Sequence, residues 1–425
     1  PQDCAGIGIT NQRETTLIWD RETDQPIHHA IVWQCQRTKS ICQKLKDAGH
    51  EPEFNKRTGL VIDSYFSGTK IKWLLDNCEG AREKAGKGSL AFGTIDSWLL
   101  WKLTGGMVHA TDYTNASRTL IFNIDNLNWD QKLLSILEIP AILLPEVLTS
   151  SGKFGATDPK LFGAAIPIAG IAGDQQAALY GQGCFDPGES KCTYGTGCFL
   201  LTNTGSLRIN SSTGLLTTVA CDQHGKPVYA LEGSVFIGGA VIQWLRDELQ
   251  ILKNSSDSEE MALSVNNSNG VVLVPAFTGL GAPYWDMNVR GIITGLTRGS
   301  NRNHIVRAAL ESIAYQVSDL LDAIFQDMNI NLHTLKVDGG ACVNNFLMQF
   351  QADIIKYKID RPLNIESTAL GVGMLAGLGT GFWSHTGELQ NVRKTERIFT
   401  TEMTDIDRVA LLNRWKTAVK QAKLI

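Results

Sequence analysis

Apolar and polar positions follow two rhythms along this chain: short β-branched runs closed by glycine, and longer stretches with a helical repeat. The clearest junction is Ile168-Ala169-Gly170-Ile171-Ala172-Gly173-Asp174-Gln175-Gln176-Ala177-Ala178. It predicts a buried strand, a tight glycine turn and a helix with Asp174 at or next to its N-cap. Residues 5–9, 17–19 and 27–33 read as strands of a β-rich meander, with a polar break at 10–16. Helical spacing covers 38–48, and a turn at 65–70 leads into a helix with Ile71, Leu74 and Leu75 on one face. A strand end at 92 runs into a short helix ending at Gly105-Gly106, a polar loop spans 111–119, and a short helix follows over 129–137.

The second half repeats the scheme. Strands at 190–193 and 198–202 are joined by Tyr194-Gly195-Thr196-Gly197, whose glycines are expected to supply φ > 0. Residues 233–246 form a glycine-rich lead into an amphipathic helix, 271–275 a buried strand and 279–285 a loop. The strongest helix, 304–328, carries Ile305, Ala309, Ile313, Val317, Leu321 and Ile324 at helical spacing. A strand at 335–338 meets Gly339-Gly340 and another helix, 368–381 is a Gly/Ala-rich helix suited to close packing, and a basic helix near 415–423 shows a solvated face. Strand, glycine or polar turn, strand and helices thus occur in both halves. That echo fits two domains of one architecture across a cleft, with the boundary inside 166–174.

Composition narrows the class. A chain of 425 residues predicts two large domains, and 43% hydrophobic with 19% charged residues is ordinary for a globular protein. A net charge of -4 argues against nucleic acid as a partner. No apolar run reaches the roughly 18 residues of a membrane span, and no basic-then-apolar leader opens the chain. The nine cysteines are scattered without a C-x-x-C pair, which argues against a disulfide framework or zinc knuckle. Reduced cytosolic thiols are the expectation, with Cys192 and Cys198 as packing residues. The chain starts at Pro1 and is at once in a strand, so upstream sequence is expected.

Four stretches carry candidate chemistry, each with a plain structural alternative. Asp174 is a helix cap or a catalytic base. Arg13-Glu14 is a solvated turn or a polyol site, in which a guanidinium donates to neighbouring hydroxyls and a carboxylate accepts from them, with Trp33 as an aromatic wall. The Gly195-Thr196-Gly197 turn is a simple hairpin or a phosphate nest. Gly339-Gly340 is an αβ turn or a close approach to a nucleotide.

Together these stretches resemble the FGGY family of carbohydrate kinases, and within it the glycerol kinase subgroup. Tyr65-Phe66-Ser67-Gly68-Thr69-Lys70-Ile71-Lys72-Trp73-Leu74-Leu75-Asp76-Asn77 is similar to the first family signature. Gly291-Ile292-Ile293-Thr294-Gly295-Leu296, followed by His304-Ile305-Val306-Arg307-Ala308-Ala309-Leu310-Glu311, is similar to the second. Residues 8–16, Gly173-Asp174-Gln175-Gln176, 193–199 and 337–340 resemble the subgroup, and all six segments fall in family order.

The resemblance implies an α/β fold of two ribonuclease H-like (actin-like ATPase) domains facing a central cleft, 1–173 on the polyol side and 174–425 on the nucleotide side. It implies ATP-dependent phosphorylation of a terminal hydroxyl of glycerol, with Mg²⁺, in a cytoplasmic homodimer or homotetramer. Carried over by position, Asp174 is the base. Arg13, Glu14, Trp33, Tyr65, Asp174, Gln175 and Phe199 form the acceptor site. Thr196, Gly239, Gln243, Gly340 and Asn344 form the nucleotide site, and no metal ligand is carried over.

Family members also begin with an Asp-x-Gly-Thr-Thr hairpin that contacts ATP phosphates, and no copy occurs here. The expectation is therefore a first domain truncated at its N-terminus and little kinase activity from this chain alone. Val372-Gly373 replaces the usual Ala-Ala, and 158–163 lacks the Gly-Gly-Lys-Gly-Gly-Thr loop used in sugar-bisphosphate inhibition. Two other readings remain: a family kinase acting on a pentulose or gluconate, against which Gln12-Arg13-Glu14-Thr15-Thr16 and Trp33 argue, and a silent nucleotide-binding protein.

Overall fold

The computed structural model describes residues 3–221, 228–329 and 332–424, so Pro1 lies outside the described residues. The chain does not open in a meander. Ile7–Asn11 pairs in parallel with Pro167–Gly173, which is antiparallel to Ser151–Ala156 in a three-stranded sheet. Leu17–Asp20 instead pairs with Leu90–Gly93. Residues 27–33 form no strand; they hold a single bridge at Ile31 and a hydrogen bond from Ile27 N to Ile18 O at 3.0 Å, beside a bridge at Pro26.

The second sheet has seven strands, in the order Leu216–Val219, Tyr229–Val235, Cys198–Gly205, Ser190–Tyr194, Thr334–Asp338, Lys358–Pro362, Thr395–Phe399. The first four run as antiparallel neighbours, the next two pairings are parallel, and the last strand is antiparallel. Gly233 thus belongs to a strand, and the helix expected after it spans only Ala240–Asp247. The largest core cluster lies on this sheet and takes in the helix Arg302–Met328. Asn301 starts that helix with a reciprocal capping box to His304, and Asn329, in the left-handed region, ends it.

Helix Ser367–Thr380 is where close packing matters most. It lies against the first sheet and crosses the helix Asp174–Gly181. A Cβ on Gly371 would fall on the carbonyl oxygen of Ala177, so only glycine permits this approach. The C-terminal helix, Asp405–Ala422, has Arg414, Lys416 and Lys420 outward as expected, yet its other face is core. Trp415 is fully buried, stacks on Tyr315 with centroids 5.3 Å apart, and donates from Nε1 to Asp319 Oδ2 at 2.8 Å.

The polar stretch 111–119 is not a surface loop either. It holds part of a short strand, the helix Tyr113–Ala116, and a buried run through Ser117, Arg118 and Thr119. Asp112 caps the helix by accepting the amides of Thr114 and Asn115. The segment reads as polar because its hydrogen bonds are made inside the protein.

Candidate active site

The strand Pro167–Gly173 is buried from Ile168 on and passes directly into the helix Asp174–Gly181. Gly173 occupies the N-cap, so Asp174 is the first helical residue. Its Oδ1 accepts the Gln175 N–H at 2.8 Å and lies 3.2 Å from Arg13 Nε. Asp174 keeps 32% side-chain exposure, whereas Gln175 and Gln176 beside it are buried. A carboxylate held open at a helix start, with a guanidinium alongside, does not serve merely to end the helix.

Arg13 and Glu14 are not a solvated turn, being only 2% and 1% exposed. Arg13 donates from Nη1 to Glu232 Oε2 at 2.6 Å and from Nη2 to Glu232 Oε1 at 2.8 Å, a bidentate fork. Nη1 also donates to Gln176 Oε1 at 3.1 Å. Arg118 donates from Nε to Glu14 Oε1 at 2.7 Å and from Nη2 to Glu232 Oε1 at 3.1 Å. Two guanidiniums and two carboxylates therefore form one buried quartet. Burial pushes the Glu14 carboxyl up, against the pull of Arg118 and Arg13. Burial also opposes ionisation of Glu232, but Arg118 and Arg13 outweigh it and hold that carboxyl at about 2.

Glu14 has φ of 60°, in the left-handed region that a non-glycine residue adopts only when its surroundings impose it. Thr16 Oγ1, Ser67 Oγ and Lys70 Nζ all donate to its carbonyl oxygen, at 3.0, 3.1 and 3.1 Å. Lys70 is fully buried and also donates to the Tyr65 carbonyl, and burial lowers its ammonium to about 8. The helix of the first signature thus works as a clamp on the Glu14 backbone.

Trp33 meets Tyr65 and Phe199 edge to face, at centroid distances of 5.7 and 6.2 Å. Trp33, Tyr65 and Thr196 line a cavity of about 180 Å³, and the Arg118 guanidinium lies 5.6 Å from the Tyr65 ring centre. Gln175, also expected among the acceptor residues, accepts at Oε1 from Lys191 Nζ at 2.5 Å. Lys191 is wholly buried, which lowers its ammonium despite the carboxylates of Asp338 and Asp174 nearby.

A second cavity, of about 410 Å³, is lined by Gly195, Thr196, Gly239, Gln243, Gly340 and Asn344 among others. All five residues expected at the nucleotide thus share one wall. Neither hairpin glycine has φ > 0, contrary to the expectation; Gly197 is required because a Cβ would fall on the Val235 carbonyl oxygen. The hairpin is held by Gly238 and Ala240, whose amides donate to Thr196 O at 2.8 and 3.1 Å. Gly340 is different: its backbone is ordinary and nothing lies within 4 Å of an added Cβ. The space above it is the cavity, a cradle that a side chain would fill and that suits a nucleotide. Asn344 caps the helix Asn345–Ile355 through Leu347 N at 2.9 Å and gives its amide to Ser258.

Thr196 lies on the wall of both cavities. Sequence reasoning passed over Glu232, Arg118, Gln176, Lys70 and Lys191 as site residues. A signal exists in the sequence for Glu232, the single acid inside the run Tyr229-Ala230-Leu231-Glu232-Gly233.

The N-terminal-domain model of the FGGY family of carbohydrate kinases matches residues 1–181, and its C-terminal-domain model matches 190–380. A glycerol kinase of Thermoanaerobacter pseudethanolicus is 60% identical over 422 residues, 99% of this chain and 85% of the relative. A glycerol kinase of Carboxydothermus hydrogenoformans is 60% identical over 424 residues, 100% of this chain and 85% of the relative. Among solved structures, Plasmodium falciparum glycerol kinase with ADP aligns with a TM-score of 0.91 at 40% identity, over 98% of this chain and 83% of that one. A ligand-bound xylulose kinase from Lactobacillus acidophilus shares the fold, with a TM-score of 0.87 at 23% identity over 99% of this chain and 84% of that one.

Proposed function

The chain belongs to the FGGY family of carbohydrate kinases, and from that premise we propose that it transfers the γ-phosphoryl group of ATP to a terminal hydroxyl of glycerol. The observation that carries this reading is the position of Thr196 on both cavity walls, one beside the aromatic wall of the polyol group and one beside Gly340. An acceptor held near Asp174 and a nucleotide over Gly340 would meet at that hairpin.

A primary alcohol is too weakly acidic to ionise at neutral pH, so its proton must leave as the oxygen bonds to phosphorus. Asp174 Oδ1 is engaged by the Gln175 backbone N–H and Arg13 Nε, whereas Oδ2 accepts only from Gln175 Nε2, at 3.3 Å, and keeps a lone pair to take the proton. The bond from phosphorus to ADP breaks as the new one forms. A Mg²⁺ ion arriving with the nucleotide would offset charge on the transferring group, and no residue of this chain is assigned to hold it. Arg13, Glu14 and Gln175 orient the acceptor hydroxyls, Trp33, Tyr65 and Phe199 cover its carbons, and Thr196 contacts the transferring phosphoryl. An acceptor lacking a hydroxyl would leave a buried polar atom of Arg13 or Glu14 without its hydrogen-bond partner, which is a strong basis for discrimination. We divide the chain at 173/174 into acceptor and nucleotide units. Free thiols such as Cys42, Cys184 and Cys342 support action in a reducing compartment such as the cytoplasm.

The test is ADP release by the purified protein over a panel of glycerol, xylulose and gluconate. Glycerol should give the highest kcat/KM of the panel; preference for a sugar acid or pentulose would replace the acceptor assignment. Nucleotide and glycerol binding with little turnover is the outcome expected if the Asp-x-Gly-Thr-Thr hairpin, absent from this sequence, is needed for transfer. Nucleotide binding without glycerol binding would mark a silent binder. Asp174→Asn should lower kcat by about 10²–10⁴ with glycerol affinity nearly kept. Near-normal turnover would remove Asp174 from the base role.

A further inference from the structure

We propose that Glu232 is the positioning residue of the acceptor site, orienting Arg13 directly and Glu14 through Arg118, and so making acceptor affinity depend on contact between the two halves of the chain. The proposal rests on the assignment of Arg13 and Glu14 to the acceptor.

Glu232 stands on Tyr229–Val235, within the seven-stranded sheet, while Arg13, Glu14 and Arg118 all come from the segment before residue 173. Its carboxylate is wholly buried and both oxygens are used: Oε2 by Arg13, and Oε1 by Arg13, Arg118 and, at 3.4 Å, Ser234. The adjoining strand carries Phe199, paired with Ser234, so the same piece of sheet bears both an aromatic wall residue and the anchor of the guanidinium.

Counting the hydrogens of Arg13 shows what the anchor achieves. Nε faces Asp174, Nη1 serves Glu232 and Gln176, and one hydrogen of Nη2 serves Glu232. One Nη2 hydrogen is left without a recorded partner among the described residues, and the bidentate fork sets its direction. On the other side, Glu14 Oε1 takes the Arg118 Nε bond, which leaves Oε2 to an acceptor hydroxyl. Arg118 is oriented in turn by Glu232 Oε1. A donor and an acceptor for neighbouring hydroxyls are thus both aimed by one carboxylate. Burying four charges is unfavourable beside an apolar core of the same shape, so stability alone gives little reason for the quartet.

The decisive variant is Glu232→Gln, which keeps shape and volume but removes the charge and one half of the fork. The glycerol KM and calorimetric Kd should rise at least about tenfold, while KM for ATP and Kd for ADP stay within about twofold. Glu232→Asp should recover part of the loss. A merely structural role would move both substrates together, and that result, or an unchanged glycerol KM, would overturn the proposal. If Glu232→Gln does not accumulate as folded protein, Arg118→Lys serves instead. It leaves the Arg13 fork in place but cannot span Glu14 and Glu232 together, so the glycerol KM should rise by a smaller factor; no rise overturns the proposal. A wild-type protein that neither binds nor phosphorylates glycerol would refute the acceptor assignment itself, whereas an active wild type with an unaltered Glu232→Gln would refute only the role of Glu232.

Discussion

Gly340 shows how a single residue can be read by elimination. Its backbone does not need glycine, since φ is not positive, and no neighbour crowds the Cβ position. What glycine preserves there is the floor of the 410 Å³ cavity. Gly340→Leu should therefore fold with an unchanged melting temperature while ADP affinity falls at least about tenfold, measured by calorimetry against the wild type. Equal ADP affinity would take the nucleotide away from this wall. Gly339, next to it, has φ of 84°, and a Cβ there would lie 2.7 Å from Tyr194 O. The Gly-Gly pair in the sequence thus combines two unrelated demands, and sequence alone does not separate them. The same holds for Arg13-Glu14: adjacent opposite charges look solvated until the partners Arg118 and Glu232, more than a hundred residues away, are in place.

At the level of elements, local pattern located most strands and helices because period and glycine stops are local properties. Pro167–Gly173 into Asp174–Gly181, the Ser190–Tyr194 and Cys198–Gly205 hairpin, and Arg302–Met328 all fall where the pattern put them. What local pattern missed is pairing between distant segments: the parallel partner of Ile7–Asn11, and the burial of 111–119. The glycine-rich helix Ser367–Thr380 offers a matched test. Gly371→Ala would drive a methyl into Ala177 O, and to 2.8 Å from Gly181 N, both backbone atoms of the helix that begins at Asp174. It should cost about 1–3 kcal/mol of stability and lower kcat by displacing the base helix. Gly373→Ala, with nothing within 4 Å, should leave kcat unchanged and stabilise by up to about 1 kcal/mol through helix propensity. Thermal melts and kcat of the two variants decide it; equal effects would mean that the helix crossing does not govern the position of Asp174.

On the scale of the whole molecule, closure depends on a polar tie as well as on the sheet. Asp319 on Arg302–Met328 accepts at Oδ2 from Trp415 Nε1 at 2.8 Å and from Tyr284 Oη at 2.9 Å, joining the C-terminal helix and the 279–285 loop to the main core. Burial raises its carboxyl from 3.8 to about 6, with the Trp415 and Tyr284 hydrogen bonds opposing the rise. A carboxyl whose folded pKa exceeds the unfolded one binds its proton more tightly when folded. Its contribution to stability is therefore greatest below pH 3.8, declines as pH rises towards 6, and stays at its lowest above that. Asp319→Asn keeps an oxygen acceptor for both donors and removes the ionisation. It should raise unfolding free energy at pH 7 by up to about 3 kcal/mol, with most of the advantage gone by pH 4. Urea unfolding at pH 4, 5, 6 and 7 measures this directly. A loss that grows towards pH 7 would mean that Trp415 and Tyr284 require the charged carboxylate, and a loss equal at every pH would mean that ionisation of Asp319 does not enter and that the amide fails through hydrogen-bond geometry.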